Sequence, residues 1–240
     1  MNIEWLAGVY EGEGTADKSK KTLVIGNTNK ELLKDCLLVA GSGKIYGPYH
    51  YTNRPNTKQF YQWRTNSHDS EKIAETIHPY LSLRRRQQLE NVFPGIWPES
   101  AKSMSISFAG GLFNGEGCFT TTNGTDLQSA IKMTDEDVIH RFQGLVNCGR
   151  IHVYSNVCPS HRNYKRTLPL YHWRGCIKAS LYVGELLWPY LSNEKKQAFS
   201  RRLIQTIQNN GYHRSFCEQT ADRLGIPKHE QTLTKRDRTE

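Results

Sequence analysis

No stretch of this chain stays apolar for the roughly 20 residues that a membrane-spanning helix demands, and its first residues lack the pattern of a secretory signal. The six cysteines are scattered, with no Cys-x-x-Cys pair, which fits free thiols in a reducing compartment and an intracellular rather than secreted protein, in a bacterial or phage-infected cytoplasm or an organelle. Acidic residues are the scarcer charge: 23 Asp and Glu stand against 32 Lys and Arg, a formal net charge of +9. That balance favours a polyanionic partner, with nucleic acid the leading candidate, and carries no information about fold. Neither a Ser-His-Asp nor a Cys-His arrangement suggests a protein nucleophile.

What the chain does contain is one motif written twice. Leu6-Ala7-Gly8-Val9-Tyr10-Glu11-Gly12-Glu13-Gly14 is answered by Ala109-Gly110-Gly111-Leu112-Phe113-Asn114-Gly115-Glu116-Gly117. Further stations repeat in the same order. Thr28 to Ile45 reads like Thr134 to Ile151, Gln62-Trp63-Arg64 like His172-Trp173-Arg174, and Pro79-Tyr80-Leu81-Ser82 like Pro189-Tyr190-Leu191-Ser192. Repetition at this period fixes architecture before any single residue does. The chain is a tandem duplication, and its expected organisation is residues 1–92 as a first unit, 93–104 as a short stiff linker through Phe93-Pro94-Gly95-Ile96-Trp97-Pro98, 105–211 as a second unit, and 212–240 as a basic tail or helix. Each unit of about 100 residues can bury its own core.

Within each copy the pattern predicts helix, two strands, helix, hairpin, helix. Asn29 and Asp135 begin helices that run towards Gly41 and Gly149. The hairpins are expected at Lys44–Tyr51 with Gln59–Thr65, turning at Asn53-Arg54-Pro55-Asn56, and at Arg150–Tyr154 with Leu170–Gly175, turning near Pro159-Ser160-His161-Arg162-Asn163. In the motif helices Gly8 and Gly12, like Gly111 and Gly115, lie four apart on one face. A helical glycine costs about 0.5–1 kcal/mol against alanine, so two per helix imply a return, namely close backbone approach of two crossing helices at the short end of the ~8–10 Å range. Gly14 and Gly117 are expected to end these helices in the left-handed conformation. Glu13 and Glu116 would then lie side by side at two helix C-termini, where like charge and dipole both oppose ionisation. A divalent cation reverses that balance.

These residues resemble the LAGLIDADG homing endonucleases in their single-chain, two-motif form, over roughly residues 1–205. The resemblance implies an α+β fold of two αββαββα units related by a pseudo-two-fold axis, with antiparallel sheets forming a saddle over double-stranded DNA and the motif helices at the centre. It implies Glu13 and Glu116 as metal-binding catalytic acids, with the Gly12 and Gly115 carbonyls beside them. Mg²⁺, or Mn²⁺ in its place, would support hydrolysis of one phosphodiester per strand of a long, partly palindromic site. It further implies a water-ordering role for Asn27, which Met133 in the second copy cannot match. A basic residue near the scissile phosphates is expected at Arg84, where the second copy has Glu194, followed by Lys195. Glu11 against Asn114 is a second departure.

Alternation along the strands places Trp63, Trp173, Ile45, Ile151 and Val153 inward. It leaves Thr15, Asp17, Lys44, Tyr46, Gln62, Arg64, Thr120, Thr122, Arg150, His152, Tyr154, His172 and Arg174 outward, side chains suited to base edges and phosphates. Cys148, His152, Cys158 and His161 have zinc-ligand types, but the spacing and the position of His152 in a strand disfavour a zinc site. Residues 218–227 read like part of a helix-turn-helix and are expected to be a docked helix with a charged tail. Double-stranded DNA is the expected partner of a monomer, with intron RNA a further candidate. The alternative function is a non-cleaving RNA maturase or DNA-binding regulator. An intein-embedded nuclease is disfavoured by the absence of splicing residues.

Overall fold

The structure is a computed structural model that describes residues 1–50, 58–95, 97, 102–122, 124–154, 168–209 and 213–228. Both expected hairpin turns, together with Cys158 and His161, lie outside the described residues.

The first unit runs α1 (Ile3–Glu13), β1 (Gly14–Asp17), β2 (Thr22–Asn27), α2 (Lys30–Ala40), β3 (Lys44–Tyr49), β4 (Phe60–Arg64), α3 (Ser67–Ile77), a 3₁₀ turn and α4 (Leu83–Val92). The second repeats it as α5 (Ile106–Glu116), β5 (Gly117–Thr122), β6 (Asp126–Met133), α6 (Glu136–Val146), β7 (Arg150–Tyr154), β8 (Leu170–Gly175), α7 (Ile177–Leu187), a 3₁₀ turn and α8 (Asn193–Asn209). Each unit holds one four-stranded antiparallel sheet, in the orders β1-β2-β4-β3 and β5-β6-β8-β7. The α+β class and the duplicated ββαββ core stand as expected. An added feature is the 3₁₀ turn that splits each unit's last helical stretch at Pro79 and Pro189, where proline removes a donor.

Local sequence explains the boundaries. Asn2 accepts from Trp5 N–H and Ser105 from Phe108 N–H, capping α1 and α5 alike. Asn29 accepts from the Glu31 and Leu32 amides, and Gly41, at φ 64°, ends α2. In α6 the stop is Asn147 at φ 47° rather than Gly149, and Asp135 makes no capping bond because its carboxylate is engaged elsewhere. One expectation is overturned at the motif ends. Gly14 (φ −82°, ψ 156°) and Gly117 (φ −78°, ψ 150°) are extended, not left-handed, because each is already the first residue of a strand. Glycine is needed there for space: a Cβ would lie 2.4 Å from the Tyr10 ring or 2.3 Å from the Phe113 ring.

The core forms where α1 and α5 cross. A Cβ on Gly8 would stand 2.0 Å from the Phe108 carbonyl oxygen, and one on Gly111 would stand 2.0 Å from that of Trp5. Only bare backbone allows this approach, which the small-residue spacing anticipated. Trp5, Leu6, Val9, Phe108, Leu112 and Phe113 flank the crossing, fully buried. Trp63 and Trp173 are buried beneath the sheets as alternation required. Val153 is not: it shares the inner side of its strand with Ile151, yet is 58% exposed. It lies one residue from the end of β7. Beyond α8, α9 (Arg214–Arg223) docks through buried Cys217 and Ala221, while Thr220 Oγ1 donates to Glu185 Oε1 on α7 at 2.5 Å. No helix among the described residues is long and apolar enough to cross a membrane.

Candidate nuclease centre and nucleic-acid interface

The crossing fixes where the two acids go. A Cβ on Gly12 would meet Glu116 Cγ at 3.1 Å, and one on Gly115 would meet Glu13 Cγ at 3.0 Å. Each glutamate therefore leans across the pseudo-dyad onto the glycine preceding its counterpart. The carboxyl pKa values respond. Burial, then the neighbouring Glu13 charge, pushes Glu116 up to about 7, with Arg85 and Lys195 opposing. Burial also raises Glu13, opposed by Lys195, Arg85 and a 3.1 Å hydrogen bond from Asn27 Nδ2. Met133, at the place of Asn27, is buried and offers Glu116 no such bond. The expected asymmetry between the two copies is thus present in the geometry.

The basic residues are distributed differently from expectation. Arg84 does not approach the acids; its Nε and Nη2 each donate to Asp135 of the second unit at 2.7 Å. Arg85 takes the place assigned to Arg84, donating to the Glu11 and Gly12 carbonyl oxygens at 3.2 and 3.4 Å. Lys195 Nζ donates to the Gly117 carbonyl oxygen. Ser82 accepts from Arg85 N–H and Ser192 from Lys195 N–H, so these two are the true repeat partners, three residues after matching caps. Counting from the caps rather than from the first basic residue finds Arg85. It also explains Glu194, whose carboxylate accepts from Asn29 Nδ2 at 3.0 Å. Arg84–Asp135 and Glu194–Asn29 are the same inter-unit contact made twice, with opposite charge on the last helix.

Glu11 and Asn114 hold equivalent places. Glu11 Oε2 accepts from Ser82 N–H at 2.7 Å and Asn114 Oδ1 from Ser192 N–H at 2.8 Å. Asn114 also donates to the Tyr190 carbonyl at 2.8 Å, whereas Glu11 Oε1 is buried without a partner. Burial raises Glu11 to about 7, with the Ser82 bonds opposing.

Strand register lays out the outer faces. In the first sheet Thr15, Val24, Arg64 and Lys44 form one row and Gly26, Gln62 and Tyr46 the next. In the second, Cys118, Ala130, Arg174 and Arg150 form one row, and Lys132, His172 and His152 another. Lys44, Tyr46, Thr15, Arg150, His152 and Tyr154 are exposed; Asp17, Gln62, Arg64, Thr120, Thr122 and Arg174 are half-buried. Asp17 is paired with Arg64 at 2.9 Å and held down to about 2 by hydrogen bonds from Ser19 and Lys20 as well as Arg64. His172 departs from its expected availability. It is 7% exposed beside Tyr154 (ring centroids 5.9 Å), and burial, reinforced by Lys132, Arg174 and His152, lowers it to about 4. Its longer neighbours shield it. Exposed Lys132, which the same alternation on β6 would have picked out, belongs to this face instead.

Residues 1–78 match the model of the LAGLIDADG-like domain. Among curated proteins, none matches the sequence. Solved structures do. The LAGLIDADG meganuclease I-AabMI bound to uncleaved DNA is 14% identical with a TM-score of 0.58, covering 95% of this chain and 100% of that one. I-SmaMI bound to uncleaved DNA in the presence of calcium ions gives 11%, 0.52, 95% and 98%. The homing endonuclease I-GzeII in complex with its DNA target gives 12%, 0.52, 98% and 99%. The whole chain therefore has the two-unit LAGLIDADG meganuclease fold.

Proposed function

We propose that the protein is a site-specific endonuclease of double-stranded DNA, acting as a monomer, with Glu13 and Glu116 holding the divalent cations that drive hydrolysis. The observation that carries the reading is the crossing itself: two half-buried carboxylates from equivalent helix ends meet, burial raises both, and the Glu13 charge raises Glu116 further. The donor chemistry fits a hard cation. Among the described residues no group of three or more His, Cys, Asp or Glu gathers, so the protein supplies the two carboxylates and the Gly12 and Gly115 carbonyls. Water and phosphate oxygens would complete the shell of a hard cation such as Mg²⁺ held there. Bound there, such a cation acidifies water and neutralises charge on the phosphoryl oxygens.

The chain's own residues do the rest. Asn27 orients the Glu13 carboxylate and, with Arg85 and Lys195, keeps positive charge and donors beside the reacting phosphates. Burial lowers the Lys195 pKa, with Cys118, Glu194, Glu13 and Glu116 opposing. The outward rows, including Lys132, face the duplex and supply phosphate and base-edge contacts. Met133 supports a second reading, a non-cleaving binder of DNA or intron RNA, because one half lacks an Asn27 equivalent. Selection of cleaved products from a randomised duplex library, with Mg²⁺ or with a chelator, separates the two. Metal-dependent recovery of one long, partly palindromic site cut in both strands is expected. Bound but uncut DNA would favour the binder.

A further inference from the structure

One corner of the first unit is fastened by a polar tie that the second unit lacks, and two cysteines stand in its place. In the first unit Lys44 faces Arg64 across β3 and β4. Ser42 and Asn66 lie two residues beyond that pair, one on each chain segment. Their side chains converge: Ser42 Oγ donates to Asp69 Oδ2 at 2.5 Å, and Asn66 Nδ2 donates to the same oxygen at 3.5 Å. Trp63 Nε1 donates to the Ser42 carbonyl at 3.0 Å.

The second unit is built on the same backbone. Arg150 faces Arg174, the last pair of that ladder, and Cys148 and Cys176 lie two residues beyond it, one on each chain segment. Trp173 Nε1 donates to the Cys148 carbonyl at 2.9 Å, as Trp63 does to Ser42. Ala179 holds the position of Asp69, so nothing polar can join the two. Cys176 is exposed, Cys148 half-buried, and both are free. Burial raises the Cys148 thiol, and the nearby Cys176 adds to that rise. In the first unit the side chains at the two matching positions, Ser42 and Asn66, both reach one Asp69 oxygen, which brings this pair of positions into the neighbourhood a disulfide needs.

We propose that Cys148 and Cys176 form a disulfide under oxidising conditions, closing the base of the β7–β8 hairpin onto the start of α7. The chemistry is thiol–disulfide exchange with a small-molecule disulfide such as oxidised glutathione. The Cys176 thiolate attacks one sulfur and releases one glutathione thiol. The Cys148 thiolate then attacks the Cys176 sulfur of the mixed disulfide and releases the second. The protein gives up two electrons and two protons, and the small disulfide leaves as two thiols. The bond fastens the ribbon that carries Arg150, His152 and Arg174, doing covalently what Asp69 does in the first unit by hydrogen bonds.

The test is to oxidise the full-length reduced protein with oxidised glutathione, alkylate, and map its peptides without reductant. The expected result is a peptide joining Cys148 to Cys176, two glutathiones released per chain, and a Tm raised by about 5–10 °C. Cys176→Ser and Cys148→Ser should each abolish the cross-link and the rise, and Cys118→Ser should leave both in place. Glutathione left on Cys148 or Cys176 without a cross-link, a cross-link from either to another cysteine, or an unchanged Tm overturns the proposal. No DNA enters the measurement, so its failure leaves the endonuclease reading untouched.

Discussion

The two halves of this molecule share a fold and a centre, yet they solve the same local problems with different chemistry. Behind the acid, the first half places Asn27 and the second Met133. Under the last helix, the first buries Glu11 and the second Asn114. At the seam, the first offers Arg84 to an acid, and the second offers Glu194 to an amide. The constant features are those that backbone geometry dictates: the glycines of the crossing, the capping serines and the buried tryptophans. The variable ones are polar side chains: Asn27, Glu11 and Asn114 meet partners in their own half, while Arg84 and Glu194 reach into the other. A duplicated chain is therefore free to change side-chain chemistry at matched places while its backbone contacts stay fixed.

The comparison can be broken most severely at the crossing. Gly8→Ala or Gly111→Ala forces a methyl into a carbonyl oxygen of the facing helix. The expected loss is about 3 kcal/mol or more, seen as a large fall in Tm or as failure to fold. Gly144→Ala, on a helix with open space around the added methyl, should instead stabilise by about 0.5–1 kcal/mol and raise Tm slightly.

Next in size is the seam. Arg84→Ala strands the Asp135 carboxylate, which is 7% exposed, and should cost about 2 kcal/mol after allowing for the half-exposed arginine. Asp135→Asn in the same background should recover part of this, since asparagine can cap α6. Urea unfolding of the three proteins measures both effects.

Glu11 gives a pH-dependent contrast with Asn114. A carboxyl raised from about 4.5 to about 7 in the folded state contributes stability below the unfolded value, and this is lost as pH rises through the folded one. Glu11→Gln should therefore stabilise the protein by about 2 kcal/mol at pH 8 and by little at pH 4. An equal change at both values would contradict the assignment.

Two smaller effects concern the centre. Because Glu116 holds its proton to about pH 7, cation binding must release it. At limiting Mg²⁺, cleavage should rise with pH between 6 and 8, and added Mg²⁺ should move that rise to lower pH. Met133→Asn should bring the two strand-cleavage rates closer together, by up to roughly tenfold. Strand-resolved gels read this directly.

Much of the fold was legible in the sequence because duplication reports on itself. The motif pair located α1 and α5, Asn29 and Gly41 bounded α2, and period-two alternation set Trp63 and Trp173 inward. The glycine spacing foretold the crossing and, with it, the meeting of Glu13 and Glu116. What escaped depended on contacts between halves or on how far neighbouring side chains cover a position. Arg84 looked available because nothing local shows that Asp135 claims it, and Arg85 was hidden behind it in a run of three arginines. His172 has an outward register but neighbours long enough to shield it. Val153 has an inward register but lies one residue from the end of β7 and is exposed. Gly14 and Gly117 differ from the expected left-handed stop: both are extended, and glycine is required there because Tyr10 and Phe113 leave no room for a Cβ.

The most direct test of the account is strand-resolved, single-turnover cleavage of the selected site by the parent, Glu13→Gln and Glu116→Gln proteins in saturating Mg²⁺, with DNA affinity measured alongside in Ca²⁺. Both variants should lose cleavage of both strands by roughly a thousandfold or more while affinity stays within about threefold. A variant that cuts at the parental rate would show that the two acids meeting across the helix crossing are not the catalytic centre.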